Sequence, residues 1–82
     1  MPSKEIEPGI YQHRGGDYYD VIANGRNSND CDQQMVVYTS LQKSDFPAGT
    51  IWIRTLKEFT TPGRFTKIEI RDFLAQINTP AR

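Results

Sequence analysis

His13 is the only histidine among the 82 residues, and so the one side chain whose ordinary pKa lies near neutrality and invites acid–base chemistry. A general base also needs a nucleophile within reach and a group that orients the ring, and the neighbouring sequence offers only Asp17 and Asp20 as orienters. A hydrogen-bonded histidine at a strand end is the simpler reading. Cys31 lies between Asp30 and Asp32, and two flanking carboxylates oppose the thiolate form that a nucleophilic cysteine requires. The Asp30-x-Asp32 pair lacks the mid-loop glycine and terminal glutamate of a calcium loop, and one histidine with one cysteine falls short of a structural zinc set. Gly15-Gly16 is followed by Asp17 and two tyrosines rather than by a helix opening with Lys and Ser or Thr, so it reads as a tight turn and not a phosphate loop. No catalytic residue, no metal ligand and no cofactor is assigned.

What remains is a set of aromatic and cationic residues, Tyr11, His13, Arg14, Tyr38, Trp52 and Arg54. Small β folds use such surfaces to stack planar groups or hold anions, each stacked base contributing about 1–3 kcal/mol. The competing reading is that Tyr38 and Trp52 are core, where large aromatics usually sit. Arg54 shares its strand face with Trp52, and its guanidinium is free to pair a buried carboxylate, stack on the indole or face a ligand.

These residues must be held by one small domain. Ten basic and ten acidic residues cancel, which leaves no net field to draw in a nucleic-acid backbone or an anionic membrane. A single cysteine excludes an intramolecular disulfide and fits a reducing, cytoplasmic setting. No apolar run approaches the roughly 20 residues of a spanning helix, and the N-terminus has no secretory h-region.

Along the chain, Pro8-Gly9 separates a flexible arm, residues 1–8, from a β-rich domain over residues 9–77, and residues 78–82 read as a frayed end. Ile10 to His13 and Tyr18 to Ala23 are strands joined by the glycine turn. Asn24 to Gln34 is almost wholly polar and is expected to be a surface loop. Met35 to Leu41 is apolar on both faces at first and is expected at the centre of the sheet. Thr50 to Leu56 alternates as a fourth strand. After the Thr61-Pro62-Gly63 turn, Arg64 to Ile70 alternates as a strand. Thr66 with Glu69 matches a capping box, and Ile70, Phe73, Leu74 and Ile77 share one helical face, so a short helix is expected over Arg71 to Ile77. The fold class is mainly β, a small curled antiparallel sheet or an SH3-like barrel with a short C-terminal helix.

The succession Gly9-x-Tyr11-x-His13-Arg14-Gly15, Tyr19-x-Val21, Val36-Val37-Tyr38-x-x-Leu41 and Trp52-Ile53-Arg54-x-Leu56-x-x-Phe59 resembles the bacterial family DUF1653. The similarity runs from about Pro8 to Phe65 and includes Gly63-Arg64-Phe65. The chain departs from it at Asn27-Ser28-Asn29, where the family has His-Ser-Glu, at Thr55 in place of Pro, and at Glu58 in place of Met. The resemblance implies a compact, mostly β bacterial protein and no particular activity.

The function expected from these residues is that of a non-enzymatic binding module presenting the aromatic and cationic face to a protein or peptide partner. The alternatives are a small hydrolase-like enzyme centred on His13 with an arginine anion clamp, and a single-stranded nucleic-acid binder. No membrane partner is expected, and the chain is a monomer or a homodimer through a sheet edge or the terminal helix.

Overall fold

The computed structural model describes residues 5–77, which run β1 (Gly9–His13), β2 (Tyr18–Asn27), β3 (Asp30–Ser40), β4 (Ile51–Thr55), α1 (Leu56–Phe59), β5 (Phe65–Lys67) and α2 (Ile70–Ile77). The strands form one antiparallel sheet in the order β4-β3-β2-β1-β5. Of the two mainly β forms expected, the open sheet is the one formed. A barrel needs a ladder between its first and last strands; here β5 is three residues long and pairs with β1, while β4 ends the other side.

Register decides which side chains share a face, because directly paired residues point the same way. Tyr11 pairs with Tyr19, Val21 with Tyr38, Tyr38 with Trp52, Val36 with Arg54 and His13 with Phe65. This is the buried face. Tyr11, Val21, Val36, Tyr38 and Phe59 form its core, with Ile6, Tyr19, Trp52, Leu56 and Phe65 packed around them. The single-turn helix α1 lays Phe59 over the sheet, and the Thr55 hydroxyl accepts the Glu58 N–H at 3.1 Å to cap it. The opposite face carries Ile10, Asp20, Thr39 and Ile51 in one cross-strand row. Among the described residues, α2 covers one end of that face, where Phe73 meets Tyr18 edge-to-face at 5.2 Å.

Several expectations are corrected. Asn24 to Gln34 is not a loop: β2 and β3 continue as a two-stranded ribbon that turns at Ser28-Asn29. A backbone ladder needs no apolar side chains, and polar residues tie this one. The Asn27 side chain accepts the Asn29 N–H at 2.9 Å and donates to Gln33 at 2.8 Å, and Arg26 donates to the Cys31 carbonyl at 2.8 Å. Ile22 is the extra residue where the register shifts between Val21 and Ala23, and Cys31 to Gln33 of β3 are extra where the pairing passes from Arg26–Gln34 to Asn27–Asp30. β3 is interior, but β2 holds the middle of the sheet. The fourth strand ends at Thr55 because Leu56 starts α1, and β5 stops at Lys67 because α2 starts at Ile70. Thr66 therefore lies in β5 and does not cap α2. Ile70 and Leu74 of the expected apolar helix face are largely exposed.

Of the expected arm and frayed end, residues 1–4 and 78–82 lie outside the described residues, as does the side chain of Ile77. Ile6 is held: its N–H donates to the Asn24 side-chain oxygen at 3.0 Å, and Asn24 Nδ2 donates to its carbonyl at 2.8 Å. Replacing Asn24 by alanine removes both bonds and is expected to cost about 1–2 kcal/mol. Amide exchange at Ile6, read beside thermal unfolding, checks this; unchanged protection of that amide would refute it.

Candidate functional site

Phe65 is the floor around which the polar aromatics and cations gather. The turn before it follows from Pro62 and Gly63: Pro fixes the first corner, Gly63 adopts φ +81°, and the Arg64 N–H closes onto the Thr61 carbonyl at 3.1 Å. β5 then pairs Phe65 with His13, and the Arg14 N–H donates to the Arg64 carbonyl at 2.9 Å. Below, Phe65 stacks on Phe59 with centroids 4.1 Å apart and rings 7° from parallel. Around it stand His13 at 5.1 Å, Tyr38 at 5.8 Å and Tyr19 at 6.0 Å, all edge-to-face. The Arg54 guanidinium carbon lies 5.9 Å from the Phe65 centroid, within cation–π range, and Arg54 Nε donates to the Tyr38 hydroxyl at 3.1 Å.

His13 is oriented by its own turn. The Gly16 N–H donates to the His13 carbonyl at 2.7 Å, and His13 Nδ1 accepts the Gly15 N–H at 3.0 Å. Gly16, at φ +108°, takes a backbone conformation that favours glycine. An Nδ1 that accepts a backbone proton leaves the neutral ring's own proton on Nε2. Burial is the main cause that holds the His13 pKa below its usual 6.5. Arg14, Arg54 and Arg64 lower it further, against an opposing pull from Asp17. Burial likewise raises the Tyr19 pKa, followed by Asp17 and Tyr38, with Arg54 acting the other way.

The depressed His13 pKa has a sign in stability. The unfolded chain takes up the imidazole proton near pH 6.5, while the folded chain does so only at lower pH. The His13 contribution is therefore complete above that pH and declines as pH falls toward the folded value. Urea unfolding on either side of pH 6.5 is expected to show this decline, and His13→Gln to remove that part of it. Equal pH dependence in the two proteins would refute the assignment.

Of the six residues singled out, the fold gathers His13, Tyr38 and Arg54 around Phe65, while Arg14, next to His13 in the chain, is exposed. Tyr11 is buried, and its hydroxyl donates to the Glu7 carbonyl at 2.8 Å; burial and then Glu7 raise its pKa. Trp52 lies on β4, with Phe46 edge-on at 5.2 Å, and its buried Nε1 donates to no acceptor among the described residues. Arg54 thus lies over Phe65 rather than the indole. Sequence reasoning missed Tyr19, Arg64 and Phe65. Tyr19 was legible as the strand-mate two residues before Val21, whereas Arg64 and Phe65 are brought in by the return of β5 to β1, which no local pattern specifies.

Among the described residues the salt bridge formed is Lys67–Glu7 at 3.7 Å, so Arg14, Arg54 and Arg64 have no carboxylate in an ion pair. No group of three or more His, Cys, Asp or Glu among them is placed to hold a metal ion, and Cys31 is exposed on the ribbon. No helix among them is long and apolar enough to cross a membrane.

A family model described as a protein of unknown function, DUF1653, matches residues 9–72. No curated protein and no solved structure matches the chain.

Proposed function

We propose, from the premise that the chain belongs to the DUF1653 family of unknown function, that it is a non-enzymatic binding module whose corner around Phe65 takes a carboxylate of an acidic peptide or protein partner. The observation that carries this reading is the Arg54 guanidinium 5.9 Å from the Phe65 centroid, beside His13 edge-on to the same ring at 5.1 Å, with no ion-paired acid on Arg14, Arg54 or Arg64 among the described residues. An arginine without a protein carboxylate keeps its charge available to an incoming anion, and it presents paired donors that match a carboxylate.

The enzyme alternative is less well supported. The histidine of a nucleophile triad is oriented by a carboxylate that stabilises its protonated form, whereas His13 Nδ1 accepts a backbone N–H and the neighbouring arginines oppose protonation. A single-stranded nucleic acid needs exposed ring faces, and Tyr11, Tyr38 and Phe59 are buried, with one face of Phe65 covered by Phe59. A reducing, cytoplasmic setting fits the exposed single cysteine.

The test is a two-dimensional NMR titration with an acidic peptide, a lysine peptide of equal length, inorganic phosphate and a short single-stranded RNA. Saturable shifts at His13 and Phe65 with the acidic peptide, and none with the lysine peptide, are expected. A bound carboxylate offsets the arginines, so the His13 pKa should rise as the site fills. If RNA saturates these signals and the acidic peptide leaves them still, the peptide reading is wrong.

A further inference from the structure

β4 is an edge strand with its backbone open on one side. The Ser40 N–H donates to the Thr50 carbonyl, and the Leu41 N–H turns the other way to Tyr18. Antiparallel alternation then directs the backbone groups of Trp52 and Arg54 toward β3, and those of Ile51 and Ile53 away from the sheet. Among the described residues, the backbone of Ile51 and Ile53 makes no hydrogen bond outside the β3–β4 ladder. Their side chains are 61% and 62% exposed. Natural edges are usually blunted by proline, lysine, a bulge or short length. The β5 edge fits that rule, with three residues including Lys67. β4 has five residues, neither proline nor lysine, and no bulge in its pairing with β3.

We propose that β4 pairs antiparallel with β4 of a second copy about a two-fold axis through Ile53, continuing the sheet across both chains. The strand is self-complementary in this register, as an isologous contact requires. Ile53 faces Ile53 and Ile51 faces Thr55 on the open face; Trp52 faces the stem of Arg54 on the other. The guanidinium keeps its place over Phe65, so this pairing stands independently of the peptide reading. A shift of two residues one way sets Arg54 against Arg54. A shift the other way draws in Thr50, whose N–H and hydroxyl bond the Pro47 carbonyl at 3.2 and 2.6 Å. Zero net charge puts no long-range repulsion between copies. The contact is small, so the dimer is concentration-dependent.

Sedimentation equilibrium from low micromolar to near-millimolar protein tests it. The wild type is expected to move from monomer to dimer mass. Ile53→Lys and Ile53→Glu, each placing like charges opposite one another, should raise the dissociation constant about 100-fold. An equimolar mixture of the two should recover the dimer, since this register sets position 53 against itself. Ile53→Thr, which keeps β-propensity and shortens the apolar contact, should weaken the dimer in a variant whose circular dichroism matches the wild type. A wild type that stays monomeric at the highest concentration overturns the proposal, as does a dimer that survives both charged variants.

Discussion

Phe59→Ala is expected to remove much of the stability of the fold. Phe59 is 2% exposed, stacks on Phe65 at 4.1 Å, and meets Tyr11 and Tyr38 edge-to-face at 5.4 and 5.5 Å. Removing the ring takes away its packing against Tyr11, Tyr38 and Phe65 at once, and a buried Phe→Ala change costs about 3–5 kcal/mol. A domain of this size has about 4–12 kcal/mol in total. At about 4–8 °C per kcal/mol, the melting temperature should fall by roughly 12–40 °C. Phe59→Leu, which keeps most of the volume, should cost less than half as much, and Ile51→Ala, at an exposed position, should stay within about 0.5 kcal/mol. Phe59→Ala melting within a few degrees of wild type would mean that α1 does not seal the core.

How much of this was legible depends on whether the signal was local. The glycine turn at Arg14 to Asp17, the Val36 to Tyr38 core strand and the alternation of Ile51 to Thr55 are written in residues close together, and each appears within a residue or two of the expected place. The ribbon beyond Ala23 was not legible, because polar residues in a two-stranded ladder look like loop composition; the cue was Asn27 to Asp30, a turn-forming run with its own side-chain acceptors. α1 was missed although Thr55 and Glu58 carry the same spacing as Thr66 and Glu69. The first pair caps a helix because Phe59 then reaches the core; the second does not because Thr66 is held beside Gln12. Tertiary context chose between two equal local signals. The site divides in the same way: Tyr38 and Arg54 could be placed on neighbouring strands, but their meeting over Phe65 follows from β5 crossing to β1.

Arg54→Gln is expected to weaken binding of an acidic peptide by about 10–100-fold, the loss of a charge-assisted contact of about 1.5–3 kcal/mol. Two further consequences separate this from general damage. One of the cations lowering the His13 pKa is removed, so that pKa should move up toward its usual 6.5 in the free protein. The Tyr38 hydroxyl, buried and bonded to Arg54 Nε at 3.1 Å, loses its donor, at a cost of about 1–2 kcal/mol. Arg54→Lys keeps the charge without the planar fork. It should leave the His13 pKa low while still weakening the peptide, because an ammonium has no planar pair of N–H donors to match a carboxylate. Arg64→Gln should also raise the His13 pKa, by less than Arg54→Gln, in keeping with its smaller influence on the ring. If Arg54→Gln raises the His13 pKa and the peptide still binds as tightly as to wild type, the arginines shape the histidine but do not hold the ligand. The anion would then have to enter by another face, and the groove of about 320 Å³ lined by Ile10, Asp20, Ile68 and Phe73 is an unsuitable one, since it sets the Asp20 carboxylate against an incoming anion.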